Sequence, residues 1–483
     1  MKAEVHETYE TKQQEYGKSV LSLMIAFLTA TFAFQLNASM LSPALVTMEH
    51  ELGTTASQIG LTQTVFFTAS ALFSLFLPRL ADLIGRKKVL IGMLLATVAG
   101  CSIAALASNI SILMIGRFLQ GAAGPIVPLC MIMLRVRVPD VKKYTRLMAI
   151  ITSVNGGIAG VDALAGGWIA GHWGYSPLFW IMAGIALLAA FLISVTTEES
   201  TASETPGMDW AGVFFLVIAV GTALTAVNLM ERLSETNWPA VTGLAIIAAF
   251  SFALFWRNEK RTSHPMAPIK YLKQRRTWGL LLTAFLTLTG VFAIMNGIVP
   301  ALVQDAEFGA GIGASNAPFV SLTPYAIIGL IIGPCSGWLA TKIGYLKVLR
   351  IGLGISAVAC ALGVFVANSP SVGALLALSV VLGISYAGMS NIMLNGLGIV
   401  LSPKDNPGYL PGLNAGAFNL GAGISYTILY GVMTSFASSG GPTSGYVAGM
   451  VGGGVILLLA FISSLFIPDP ETIDGSRASR LVD

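Results

Sequence analysis

The sequence predicts an all-α polytopic membrane protein with about fourteen transmembrane helices, and three observations carry that expectation. Of 483 residues, 55% are hydrophobic and 10% charged, which leaves too little polar surface to cover a soluble globule of this length. The apolar residues fall in runs of about 20, the length that crosses a hydrocarbon core of about 30 Å as a helix. The charge is segregated. Of 27 Lys and Arg, all but Arg117 and Arg232 lie in segments that the alternation of spans places on one side of the membrane.

The elements follow in order. Residues 1–18 are a polar, Glu-rich tail, and no small-residue cleavage site follows a short apolar region, so no cleavable signal is expected and the first span stays. Spans are expected at 19–46, 59–78, 89–108, 110–134, 147–170 and 178–195, forming a six-helix bundle over 19–195. A linker over 196–276 carries two extra spans, 210–229 and 239–256, and a basic loop. A second six-helix bundle over 277–467 holds spans at 278–300, 318–340, 348–367, 372–401, 408–436 and 445–467, and 468–483 is a tail. The basic loops, among them Arg86-Lys87-Lys88 and residues 135–146, 257–276 and 342–350, mark the cytoplasmic side of the cell membrane, so both termini are expected in the cytoplasm. This asymmetry accounts for the net charge of +4 without a nucleic-acid site. Cys101, Cys130, Cys335 and Cys360 lie in spans without metal-ligand spacing, so neither a disulfide framework nor a metal site is expected. His6, His50, His172 and His264 lie in loops or tails, which leaves no histidine to carry protons through the membrane centre.

An internal repeat accompanies the duplicated layout. Leu80-Ala81-Asp82-Leu83-Ile84-Gly85-Arg86-Lys87-Lys88-Val89-Leu90 and Leu339-Ala340-Thr341-Lys342-Ile343-Gly344-Tyr345-Leu346-Lys347-Val348-Leu349 lie 259 residues apart. Each joins two spans by a short turn in which Gly permits a tight reversal and the basic residues stay in water or headgroups. Transporters are commonly built from such repeats, with a site near the midplane between the halves.

Here a resemblance becomes specific. The run from Pro78 to Lys87 resembles the loop 2–3 signature of the major facilitator superfamily, with Pro78 where that family usually has Gly. Leu113 to Gly124, with Arg117, Gln120 and Gly121, resembles the signature on its fourth span, and the pattern covers nearly the whole chain. The two extra spans resemble those of the fourteen-span drug and proton antiporter branch. Two positions depart from that branch: Asp162-Ala163 stands where it carries Gly-Pro before the Gly166-Gly167 pair, and Leu36-Asn37 stands where it carries Leu-Asp. The resemblance implies two six-span bundles working by alternating access.

Two charges stand out inside the spans, because an ionisable group at bilayer depth costs about 2.5–3.5 kcal/mol on insertion scales. At about 1.5 Å per residue, Arg117 sits roughly 10 Å below the outer edge of the core. Asp162 sits roughly 20 Å above the inner edge, at the same depth. A salt bridge or a shared aqueous cavity is therefore expected, with Asp162 taking a proton when apart from Arg117 and losing it when paired. The plainer alternatives are a static ion pair and a helix-packing anchor. Amides are the other unusual content. Gln35, Asn37, Gln120, Asn155, Asn296, Asn391, Asn395, Asn414 and Asn419 all fall in apolar segments, where each must find partners among helices or in a solute. Gln35, Ser39 and Ser42 form a stripe on the first span. Asp82, Gly85, Arg86 and Lys87 are expected to gate the cytoplasmic end by capping a neighbouring helix or pairing with basic residues.

The expected function is secondary active, proton-coupled transport of a small organic solute by a monomer without cofactors, with Asp162 and Arg117 in coupling and the amides binding substrate. Amide-rich spans suit uptake of a neutral polar metabolite, and drug/proton antiport is the alternative reading that the fourteen-span layout keeps open. An enzyme is not expected, since a hydrolase needs a base at depth and no histidine lies there.

Overall fold

The computed structural model describes residues 2–138, 140–199, 209–229, 236–262, 269–403 and 409–469. The side chains of 2–19 and of several residues in 141–159, Asn155 among them, lie outside the described set. Thirteen helices among the described residues are long and apolar enough to cross a membrane, and Val141–Trp173 makes the fourteenth. We number them α1 Val20–Glu51, α2 Ala56–Ile84, α3 Arg86–Ala105, α4 Ile110–Arg137, α5 Val141–Trp173, α6 Ser176–Thr196, α7 Trp210–Leu229, α8 Trp238–Arg261, α9 Arg275–Gln304, α10 Leu322–Ile343, α11 Tyr345–Asn368, α12 Val372–Val400, α13 Tyr409–Gly440 and α14 Pro442–Ser464. The first helix begins earlier than its apolar run, at Lys2, because the Glu-, Lys- and Gln-containing residues ahead of it are good helix formers.

Polar residues set the helix ends. Thr55, Asn109, Asp140, Asn237 and Ser371 each accept a backbone N–H from the first turn of α2, α4, α5, α8 and α12, which satisfies donors the helix leaves open. The duplication read from the sequence reappears in the backbone. Gly85 and Gly344 close the two repeated turns at φ 110° and 92°, a conformation that residues with a Cβ rarely adopt.

Helices α1–α6 form one bundle and α9–α14 a second, with α7 and α8 inserted as a pair that packs on α2 and α13. The bundles meet along two seams, α2 against α13 and α5 against α10. Thr64 Oγ1 lies 2.8 Å from both Gly423 O and Thr427 Oγ1, and Thr323 Oγ1 donates to Gly160 O at 2.9 Å. Ser42 Oγ donates to Asn296 Oδ1 and Gln304 Nε2 to Pro43 O, both at 3.3 Å. All five bonds lie in the half of the molecule away from the basic turns. In the basic half Leu75 and Phe76 of α2 and Ala415 and Ala417 of α13 are half-buried.

Candidate functional site

The central helices of both bundles are irregular within their spans. Helix α1 breaks at a 3-10 turn over Ser42–Ala44 and α4 at another over Gly121–Ala123. Helix α9 carries a π-helical stretch at Ile294–Ile298 and α12 a longer one at Gly383–Ser390. Such stretches re-aim side chains and gather at functional sites. Proline contributes in α9: Pro300 has no N–H to offer the carbonyl four residues earlier, and that carbonyl, Asn296 O, accepts the Tyr426 hydroxyl at 3.2 Å.

Arg117 is fully buried, and neutral groups hold it. Its Nη1 donates to Gln120 Oε1 at 2.6 Å and its Nη2 to Gln63 Oε1 at 2.8 Å. Both Nη atoms reach Asn37 O at 3.3 Å, and Nε reaches Thr62 O at 3.4 Å. The guanidinium carbon lies 4.2 Å from the centroid of the Phe66 ring, a cation–π contact. Arg117 thereby ties α4 to α1 and α2.

Asp162 is 3% exposed and accepts the Ser39 hydroxyl on Oδ2 at 2.5 Å. Its Oδ1 has no partner among the described residues. Ser39 in turn accepts Gln35 Nε2 at 3.0 Å, so the stripe on α1 forms a chain from half-buried Gln35 to the acid. The approach is set by glycine: a Cβ on Gly166 would collide with Met40 O, and one on Gly167 with Ala314 O. Helix α5 is thus pressed against α1 on one side and the second bundle on the other.

Of the two expected arrangements, a salt bridge or a shared cavity, the salt bridge is not formed: among the described residues neither Arg117 nor Asp162 has an ion pair. Both bond to α1, but at Asn37 and Ser39, two residues apart on a helix and therefore on different faces. Asn37 faces inward, with Nδ2 on Ala33 O and Oδ1 3.5 Å from Cys101 Sγ. The depths agree and the directions do not.

The remaining amides divide. Asn296 joins Ser42 and Tyr426 across the closed half. Asn414 donates to Leu394 O at 3.3 Å and has no partner for Oδ1 among the described residues, and Asn419 is buried on the same helix. Asn391 and exposed Asn395 bond each other, Nδ2 to Oδ1 at 3.1 Å. Asn155 lies outside the described side chains. Gln63 and Gln120 keep buried Nε2 groups beside Arg117 that have no partner among the described residues. Sequence reasoning passed over Gln63 although it is an amide in a span like the others, and over Phe66 because an aromatic ring in a membrane helix carries no signal of its own.

At the basic end, Asp82 pairs with Arg86 one turn on, at 2.9 Å. The helix start beside them is capped by a different acid, since Glu199 accepts the N–H groups of Lys87 and Lys88 at 3.0 and 3.2 Å, while Lys87 Nζ donates to Ser194 O at 2.7 Å. A Cβ on Gly85 would meet Glu199 Oε1 at 2.5 Å. These bonds staple α2 and α3 to the end of α6, within one bundle.

Comparison with known proteins places this arrangement. The model of the Major Facilitator Superfamily matches residues 27–426. A uridine/deoxyuridine transporter of Lactococcus lactis subsp. cremoris (strain MG1363) is 59% identical over 469 residues, 96% of this chain and 98% of that one. The multidrug transporter protein MdtP of Bacillus subtilis (strain 168) is 24% identical over 350 residues, 72% of this chain and 63% of that one. Among solved structures, a POT family transporter in complex with a conjugated peptide superposes with a TM-score of 0.69 at 13% identity, over 94% of this chain and 97% of that one. A mutant of the nucleoside transporter NupG superposes with a TM-score of 0.62 at 15% identity, over 92% and 99%. With the family model spanning most of the chain and both bundles in place, this protein belongs to the major facilitator superfamily and is a multi-pass membrane transporter of a small molecule, not an enzyme.

Proposed function

We propose that this transporter takes up uridine and deoxyuridine across the cell membrane, driven by protons, as a monomer with both termini in the cytoplasm. The observation that carries the reading is the 59% identity, over nearly the full length of both chains, to a uridine/deoxyuridine transporter. The chemistry of the spans supports it. A uracil ring offers one N–H and two carbonyls and the sugar offers hydroxyls, and amides both donate and accept. Asn414 Oδ1, Gln63 Nε2 and Gln120 Nε2 hold unused capacity.

Coupling is assigned to Asp162 through Ser39 and Gln35. A substrate that draws Gln35 away from Ser39 changes how strongly the hydroxyl donates to the carboxylate, and with it the acid's hold on its proton. Arg117 takes a positioning role in this scheme, holding α1, α2 and α4 in register around the stripe.

The test is flux of labelled uridine into proteoliposomes under an imposed pH gradient, with unlabelled deoxyuridine, a hexose and a lipophilic cation as competitors. Competition by deoxyuridine alone is the expected result. Competition by the cation, together with dye resistance on overexpression, replaces uptake with drug/proton antiport. In the same vesicles Asp162→Asn is expected to abolish accumulation driven by the pH gradient while uridine exchange stays measurable; accumulation at the parent level removes Asp162 from coupling.

A further inference from the structure

An open groove of about 480 Å³ lies at the basic end of the second bundle, lined by Ile343, Lys347, Arg350, Ile351 and Phe461, where α10 ends, α11 begins and α14 passes. We propose that it binds an anionic phospholipid, with the phosphate between Lys347 and Arg350 and an acyl chain along Ile343, Ile351 and Phe461. The proposal is independent of the transported solute.

Among the described residues no carboxylate pairs with the charge in the groove. Lys347 and Arg350 stand in the first two turns of α11, where the helix dipole is positive and added cations are unfavourable. Lys347 is exposed and has no partner among the described residues. Arg350 Nη2 donates to Ser464 O at 3.2 Å, and its Nε is buried without an acceptor among the described residues. A buried N–H left open is costly, and an anion oxygen removes the cost and the repulsion together.

The duplication supplies an internal comparison. At the matching position in the first bundle, α3 starts after Gly85 with Arg86, Lys87 and Lys88, and the Glu199 carboxylate from the end of α6 accepts two of its backbone N–H groups. There the protein supplies its own anion. At the start of α11 no carboxylate bonds to Lys347 or Arg350 among the described residues.

The rest of the groove identifies the anion as part of a lipid. Three of its five residues are apolar, and Ile351 is 44% exposed and nearby Trp338 64% exposed. A hydrophobic flank this open faces acyl chains, and exposed Trp marks the headgroup level. Basic pockets between helices at this depth take anionic headgroups.

Native mass spectrometry of the full-length protein in detergent, with equal phosphatidylglycerol and phosphatidylcholine, tests the assignment. Retention of phosphatidylglycerol over phosphatidylcholine is expected in the parent, falling by about thirtyfold in Lys347→Ala/Arg350→Gln, as removal of two basic contacts implies. Lys347→Ala alone touches no partner, so it keeps the fold, and it is expected to show an intermediate loss. Equal retention of the two lipids, or parent-level phosphatidylglycerol on the double variant, overturns the proposal. If glycerol 3-phosphate raises the melting temperature as much as phosphatidylglycerol does, the ligand is a soluble phosphate and the lipid assignment falls.

Discussion

Arg117 brings a full positive charge into the interior, and among the described residues no carboxylate pairs with it. Four carbonyl oxygens and one ring face do the work of a counterion, and the planar fork of guanidinium reaches acceptors on three helices at once. Lysine has a single ammonium and cannot. Arg117→Lys is therefore expected to leave at least one buried acceptor open and to cost roughly 1–3 kcal/mol for each, read as a lower melting temperature in detergent. An unchanged melting temperature would show that the fork is not what holds α1, α2 and α4. The two buried charges were legible in the sequence, since few ionisable residues interrupt the apolar runs. Their partners were not, because Gln63, Thr62 and Phe66 reach Arg117 through the rotation of α2, which periodicity in a uniformly apolar helix leaves undetermined.

At the scale of elements, the fourteen spans and both repeated turns could be read from hydropathy and Gly placement, but the mid-span irregularities could not. Pro43, Pro125 and Pro300 mark three of them in the sequence, yet nothing in the run from Gly383 to Ser390 announces a π-helix. The Gly166-Gly167 pair lets α5 sit against Met40 on α1 and Ala314 ahead of α10 together. Gly167→Val is expected to wedge the α5–α10 seam and to lower uridine flux at least severalfold. Gly221→Val on α7, where an added Cβ meets nothing within 4 Å, should leave flux at the parent level. Equal flux in both variants would mean that close approach at the seam is not required for transport.

For the whole molecule, the hydrogen bonds between the bundles among the described residues gather in the half away from the basic turns, so this conformation is closed at that end. Alternating access requires the same seam to part in every cycle. Thr64 on α2 and Thr427 on α13 place their hydroxyls 2.8 Å apart across it, a separation from which two cysteines reach bonding distance with small adjustments. In a background with Cys101, Cys130, Cys335 and Cys360 replaced, Thr64→Cys/Thr427→Cys is expected to form a disulfide on mild oxidation. Flux should stop when it forms and return on reduction, while each single variant transports under both conditions. Full flux in the cross-linked protein would show that solute passes without parting α2 from α13, and rocking of the two bundles about the site would have to be abandoned.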